Sequence, residues 1–171
     1  MHSTEISLLT EPEIADFLEA ATRERGEAEW PRLAQFAQDM LKHERSIWTA
    51  RQGTDYVGMI SLRWQSDYTG FRRTPPAPEI IDLYVWQACR RHGIASLLLQ
   101  HIEHVLREKH YQRVGLGIGV QSEDQPAKEL YIKHHYRFDG SGPWWQGKNI
   151  AETDKTDPAI APVLLMMDKM L

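Results

Sequence analysis

The segment "EIIDLYVW", residues 79 to 86, and the leucine-rich stretch C-terminal to it constrain the fold more than any other part of the chain. The near-continuous apolar character of the segment suits a central strand covered on both faces. Beyond a short basic turn, Ile94, Leu97, Leu98, Ile102, Val105 and Leu106 recur at helical spacing until the polar "REKHYQR" ends the pattern. A helix over 92–109 is expected there, and it is the strongest helical signal in the sequence. "VGLGIGV" then reads as a strand with glycine at alternate positions. That spacing leaves one sheet face without side chains, open to another backbone or to a ligand.

The rest of the chain supplies the other elements. "TEISLL" reads as a short strand, and Thr10 with Glu13 stand in capping-box spacing around Pro12, so a helix is expected from near Glu11. After a break near Gly26, Leu33, Phe36, Ala37, Met40 and Leu41 mark one apolar face of a second helix beginning just after Pro31. "SIWTAR" and "YVGMISLRW" flank Gln52 to Asp55, with Gly53 between them, and read as a hairpin. The polar, proline-rich "QSDYTGFRRTPPAP" is longer than most connections in compact domains, so it is either functional or mobile. A short helix over 124–135 and strands at "YRFD" and "PVLLMMDKM" complete the series, with "SGPWWQGKNIAETDKTDP" as a second long loop. The expectation is a single α/β (α+β) domain over 1–171, with a central mixed, mostly antiparallel twisted sheet flanked by helices.

Composition narrows the function. A formal charge of −4 lacks the basic excess that binding to a nucleic-acid backbone needs, so no nucleic-acid partner is expected. The longest apolar run, "VLLMM", is far short of the roughly 20 residues that cross a bilayer, so no membrane span is expected. One cysteine, Cys89, excludes an intramolecular disulfide. Glu5, Glu11, Glu13 and Asp16 stand where a signal peptide would be basic and apolar, which suits a cytoplasmic protein. His101 and His104 lie one helical turn apart without an H-E-x-x-H pattern, and His110, His134 and His135 lack ligand spacing, so no metal site is expected. Cys89 beside two arginines has the surroundings of a nucleophile, but a lone cysteine is more often an inert small apolar residue. Trp144 and Trp145, in a polar stretch, suit either an acceptor pocket or the interface of a homodimer.

The turn "CRRHGIAS" carries the chemistry. A helix start leaves backbone N–H groups unpaired with a partial positive charge, so basic residues there oppose the helix dipole unless something anionic binds. Gly93 and Ala95 are small enough to let phosphates approach the main chain, where consecutive amides surround them. Arg90, Arg91 or His92 are placed to reach the outer oxygens. The alternative is an ordinary helix start with solvated basic side chains.

The pattern Arg90-x-x-Gly93-x-Ala95, after "EIIDLYV" and before a leucine-rich helix, resembles the acetyl-CoA pyrophosphate loop of the GNAT superfamily of N-acetyltransferases, whose signature is Gln/Arg-x-x-Gly-x-Gly/Ala. A second block, Ala127, Leu130, Tyr131 and Lys133, resembles that family's later A-x-x-L-Y motif. The resemblance implies acetyl-CoA as co-substrate, with no metal. Leu83, Tyr84 and Val85 would pair with the pantetheine arm, and Arg90, Arg91, His92, Gly93, Ile94, Ala95 and Ser96 would form the pyrophosphate loop. Tyr131 would protonate the departing thiolate. The main-chain N–H of Val85 would face the oxyanion. Glu79, Asp82 or a water relay would take the proton of the amine. The structural alternative for Asp82 is an ion pair with Arg63 or Lys133.

Two positions depart from the family. Asp124 stands at a cofactor-contacting position where asparagine is usual, and a carboxylate cannot donate as the amide does. His135 replaces the glycine before Tyr136. The implied activity is acetyl transfer to a primary amine of a small molecule or peptide, a cationic acceptor suiting the net acidic chain. The alternative is a non-catalytic acyl-CoA-binding or interaction module of the same fold.

Overall fold

The computed structural model describes residues 3–145, 148–149 and 163–171. Its contacts divide into two compact units, Met1–Trp64 with Ile81–His104, and Gln65–Ile80 with Val105–Leu171.

The first unit begins with strand β1 (Thr4–Leu8), followed by helices α1 (Ile14–Arg25) and α2 (Trp30–Leu41), then strands β2 (Arg45–Gln52) and β3 (Asp55–Arg63). The capping pair forms: the Glu13 carboxylate accepts from the Thr10 main-chain N–H at 2.9 Å and from its hydroxyl at 2.6 Å. A 3-10 turn over Glu11–Glu13 intervenes, so the α-helix proper starts at Ile14 and not at Glu11. Gly26, at φ +96°, stops α1, and Pro31 sits in the first turn of α2, where its missing N–H costs nothing. β2 lies antiparallel to both β1 and β3, and Gly53 at φ +62° opens the two-residue turn between Gln52 and Asp55.

The apolar faces of these elements meet in one cluster, including Phe17, Leu33, Phe36, Ile47, Met59 and Trp86. Burying each large side chain is worth about 1.5–3 kcal/mol. The unit also holds Ile81–Val85 of strand β4 (Glu79–Val85) and most of helix α4 (Ile94–Glu108). At Gly58 of β3 an added Cβ would lie 3.1 Å from the Tyr84 carbonyl and 3.3 Å from Leu98, so glycine permits this close approach.

In the second unit, strand β5 (Arg113–Gly119) runs parallel to the start of β4 and antiparallel to β8 (Leu164–Met170), which pairs on its other side with β6 (Arg137–Trp145). β6 also pairs with β7 (Lys148–Asn149). A short helix, α3 (Thr69–Arg72), lies in the connection before β4, and α5 (Gln125–Lys133) follows β5. The sheet is therefore mixed, mostly antiparallel and flanked by helices, as the sequence suggests.

Several expectations change. β6 continues through "SGPWW", expected as part of a loop, because a register shift between Phe138 and Pro143 lets the chain resume pairing with β8. The connection 65–78 is packed: Tyr68, Phe71 and Ala77 are buried in a cluster with Met166. The glycine face of β5 is filled, since a methyl at Gly115 would overlap the Phe71 ring, one at Gly117 would crowd Leu164 and one at Gly119 would overlap Asp124. The apolar run of β4 is buried only at Glu79 and Ile80, and Ile81 to Val85 are half-buried.

Candidate active site

In the first unit the end of β4 leads into the basic turn. A 3-10 turn covers Gln87–Cys89, Arg91 takes φ +66° and Gly93 takes φ +81°. These left-handed residues prevent helix propagation, so α4 begins at Ile94 and not at 92. Gly93 acts as the helix cap, its carbonyl accepting the Leu97 N–H at 3.0 Å. An added Cβ at Gly93 would meet nothing within 4 Å. Main chain, not side chain, thus faces open space at the positive end of a 15-residue helix.

The basic side chains divide. Arg90 turns back, its Nε donating to the Val85 carbonyl at 3.1 Å and its guanidinium lying 5.2 Å from the Tyr84 ring centroid. Arg91 and His92 remain exposed, with His92 Nδ1 3.3 Å from the Cys89 carbonyl. Of the three candidates for outer phosphate oxygens, Arg90 gives its Nε to the strand and is itself exposed. Ile94 is buried and anchors the helix, while Ala95 and Ser96 are half-buried in its first turn. Cys89 is half-buried and packs against the apolar cluster, in keeping with a small apolar residue.

Asp82 has ion partners on the two helices of this unit. It pairs with Arg25 of α1 at 2.8 Å, with Arg32 of α2 at 3.6 Å from the same oxygen. Arg25 is only 7% exposed at its side chain, also pairs with Glu29 at 2.9 Å, and lies 4.6 Å from the centroid of Tyr84. Two arginines therefore pack on the Tyr84 ring, and a network from α1 and α2 holds the carboxylate of Asp82. Nothing in the sequence pattern singles out Arg25, because its partner is 57 residues away.

Glu79 is buried in the second unit, its Oε2 accepting a hydrogen bond from Ser66 at 2.6 Å. Tyr131, on α5, is also buried there and packs edge-on to Tyr136 at 5.6 Å. Asp124 caps its own turn by accepting the Gln121 N–H at 3.0 Å, and its carboxylate lies over Gly119. Helix α5 accordingly starts at Gln125 and ends at Lys133, inside the expected 124–135. His135 takes φ +68°, so the left-handed turn that a glycine favours is kept with a bulkier residue, at a cost of about 1–2 kcal/mol.

Trp144 is half-buried: its ring meets Tyr68 at 4.6 Å and its Nε1 donates to Ser141 at 2.7 Å. With Tyr68, Arg73, Arg113, Asp139 and Asp168 it lines a pocket of about 600 Å³ within this unit. The side chain of Trp145 lies outside the described residues. Tyr68 donates to Asp139, and burial, followed by that bond, pushes its phenol above the ordinary 10.0, so it stays a donor. Burial also raises the carboxyl of Asp168 despite Arg113, 3.3 Å away. Among the described residues no group of three or more His, Cys, Asp or Glu side chains is placed to hold a metal, and no helix is long and apolar enough to cross a membrane.

Residues 11–136 match the family described as Acetyltransferase (GNAT) family. Over 92 residues the chain is 27% identical to the uncharacterized N-acetyltransferase YedL of Escherichia coli K12, an alignment covering 53% of this chain and 52% of that protein. The chain thus spans about half the length of this curated relative. Among solved structures, the fold is shared with the PaiA N-acetyltransferase of Thermoplasma acidophilum, in complex with coenzyme A (TM-score 0.63, 14% identity, 99% of each chain). It is shared too with a ribosomal-protein-alanine N-acetyltransferase of Brucella melitensis (TM-score 0.66, 19% identity, 98% and 99% of the two chains). A third likeness is to a GNAT family acetyltransferase of Elizabethkingia anophelis with acetyl-CoA bound (TM-score 0.64, 14% identity, 98% of each chain). With the glycine-capped helix start in the matched region and the fold common to these structures, the chain belongs to the GNAT acetyltransferase family.

Proposed function

We propose that the chain is an acetyl-CoA-dependent N-acetyltransferase that delivers the acetyl group to a primary amine of a small molecule or peptide by direct attack on the thioester. The observation that carries this reading is the cap of α4: Gly93 at φ +81°, with nothing within 4 Å of where a side chain would begin. That open main chain fits a diphosphate, which the helix-start amides would hold while the exposed Arg91 and His92 meet its outer oxygens. Leu83 to Val85 would receive the pantetheine arm as a neighbouring strand, and the half-burial of this part of β4 supports that role. When bound, acetyl-CoA would supply the activated acetyl thioester.

The protein's own groups would do the rest. The main-chain N–H of Val85 would stabilise the developing oxyanion. Tyr131 would hold a proton for the leaving sulfur. Glu79 would take the proton from the acceptor ammonium, directly or through water. Asp82 is the other candidate for that task, and its pairing with Arg25, which occupies one of its oxygens, weighs the reading toward Glu79. Asp124, engaged with Gln121, would serve the cofactor by shaping the turn and not by a donated bond. The net charge of −4 favours a cationic acceptor by attraction.

Calorimetry with coenzyme A and thiol release over a panel of amines test this reading. Binding is expected together with release on at least one acceptor, and Tyr131→Phe is expected to lower kcat about 10²- to 10⁴-fold. Tight binding with no thiol release on any amine would assign a non-catalytic module instead, and no binding at all would remove the cofactor.

A further inference from the structure

The connection 65–78, polar and proline-rich, is held in place by a set of directed bonds, all inside the second unit. Arg72 Nε donates to the Ser66 carbonyl at 2.7 Å. Arg113, from the start of β5, donates through Nη2 to the Gly70 carbonyl at 2.8 Å. The Phe71 ring lies on the glycine face of β5 at Gly115 and is 1% exposed. The result is a hydrogen-bonded bracket beside the start of β4.

Ser66 is what this bracket presents. It is 2% exposed, and its hydroxyl oxygen accepts the Tyr68 N–H at 3.0 Å. A hydroxyl carries one proton, and with the backbone donor fixing its acceptor side, that proton is directed to Glu79 Oε2 at 2.6 Å. Glu79 is itself 8% exposed. A buried carboxylate is costly unless it is hydrogen-bonded, and its orientation is set by the donors that satisfy it.

We propose that Ser66 is the positioning residue of the proton acceptor: it fixes the rotation of the Glu79 carboxylate so that this group meets the acceptor amine. This rests on the reading of Glu79 given above. In the step it serves, an N–H bond of the acceptor ammonium breaks and its proton passes to the Glu79 carboxylate. The electron pair left on nitrogen forms the new C–N bond to the acetyl carbon. The C–S pair departs with sulfur, which takes a proton from Tyr131, and the second N–H proton, released as the tetrahedral adduct becomes the neutral amide, restores the Tyr131 phenol. Ser66 touches none of the reacting atoms.

The test compares Ser66→Ala, Ser66→Thr, Glu79→Gln and the double variant Ser66→Ala/Glu79→Gln in the full chain, with kcat and KM measured on an acceptor that the thiol-release panel identifies. Loss of one bond to a charged group predicts a fall in kcat of about 10- to 100-fold for Ser66→Ala, with the KM for acetyl-CoA unchanged. Ser66→Thr, which keeps the hydroxyl, should return kcat to within about threefold of the parent. Glu79→Gln should be slower, and adding Ser66→Ala to it should cost nothing more, the non-additivity expected of one network. With a weakly basic amine, already neutral at the assay pH, the Ser66→Ala deficit should vanish, which a merely structural role would not produce.

The failures separate. Parent-like kcat in Glu79→Gln overturns the reading of Glu79 and this inference with it. A slow Glu79→Gln beside a parent-like Ser66→Ala overturns the positioning role alone. Equal deficits for basic and weakly basic amines overturn it as well. Should Ser66→Ala fail to fold, Ser66→Cys, nearly isosteric but a weak donor, is measured in its place with the same expectations.

Discussion

Replacing Gly93 by alanine separates the two demands placed on that residue. At φ +81° an L-residue is strained by about 1–2 kcal/mol. Because an added Cβ meets no atom within 4 Å, no overlap is added to this strain. A domain of this size loses about 2–4 °C of Tm per kcal/mol, so Gly93→Ala should melt roughly 2–8 °C lower.

Gly53, at φ +62° with equally open surroundings in the β2–β3 turn, is the matched control. Gly53→Ala should show a similar fall in Tm, because the conformational cost is of the same kind. Only at Gly93 would the new methyl enter the space proposed for the diphosphate. Calorimetry should therefore show at least a tenfold weaker Kd for coenzyme A in Gly93→Ala, with Gly53→Ala unchanged. If the two variants melt alike and bind coenzyme A alike, the helix cap is a structural turn and the placement of the diphosphate is wrong.

Arg25→Ala leaves the nearly buried Asp82 without its main partner, and urea unfolding should report a loss of about 3 kcal/mol, at the low end for a broken buried pair because Arg32 stands 3.6 Å away. A loss below about 1 kcal/mol would mean that the pair is not a buried one in energetic terms. The Glu13 carboxyl is held below its ordinary 4.5 chiefly by the bond from the Thr10 hydroxyl. A lowered carboxyl contributes stability above 4.5 that is lost as pH falls through its folded value, so Glu13→Gln should flatten the acid limb of the stability profile. An unchanged acid limb would place that pH dependence elsewhere.

By itself the sequence determined what depends on neighbours in the chain. The stripe Ile94, Leu98, Ile102 and Leu106 became the buried face of α4, and Thr10 with Glu13 became a cap, because helical periodicity and capping act over three or four residues. The basic turn with Gly93 was legible for the same reason, since φ and helix entry are set locally.

Only the tertiary structure decided what depends on chain closure. Arg25 as the partner of Asp82, Ser66 as the donor to Glu79, the side chains that fill the glycine face of β5 and the continuation of β6 past its irregular register each join segments far apart in sequence. Residue spacing carries no record of which distant group arrives at a buried charge or an open sheet face. Those choices are made when side chains must satisfy one another out of water.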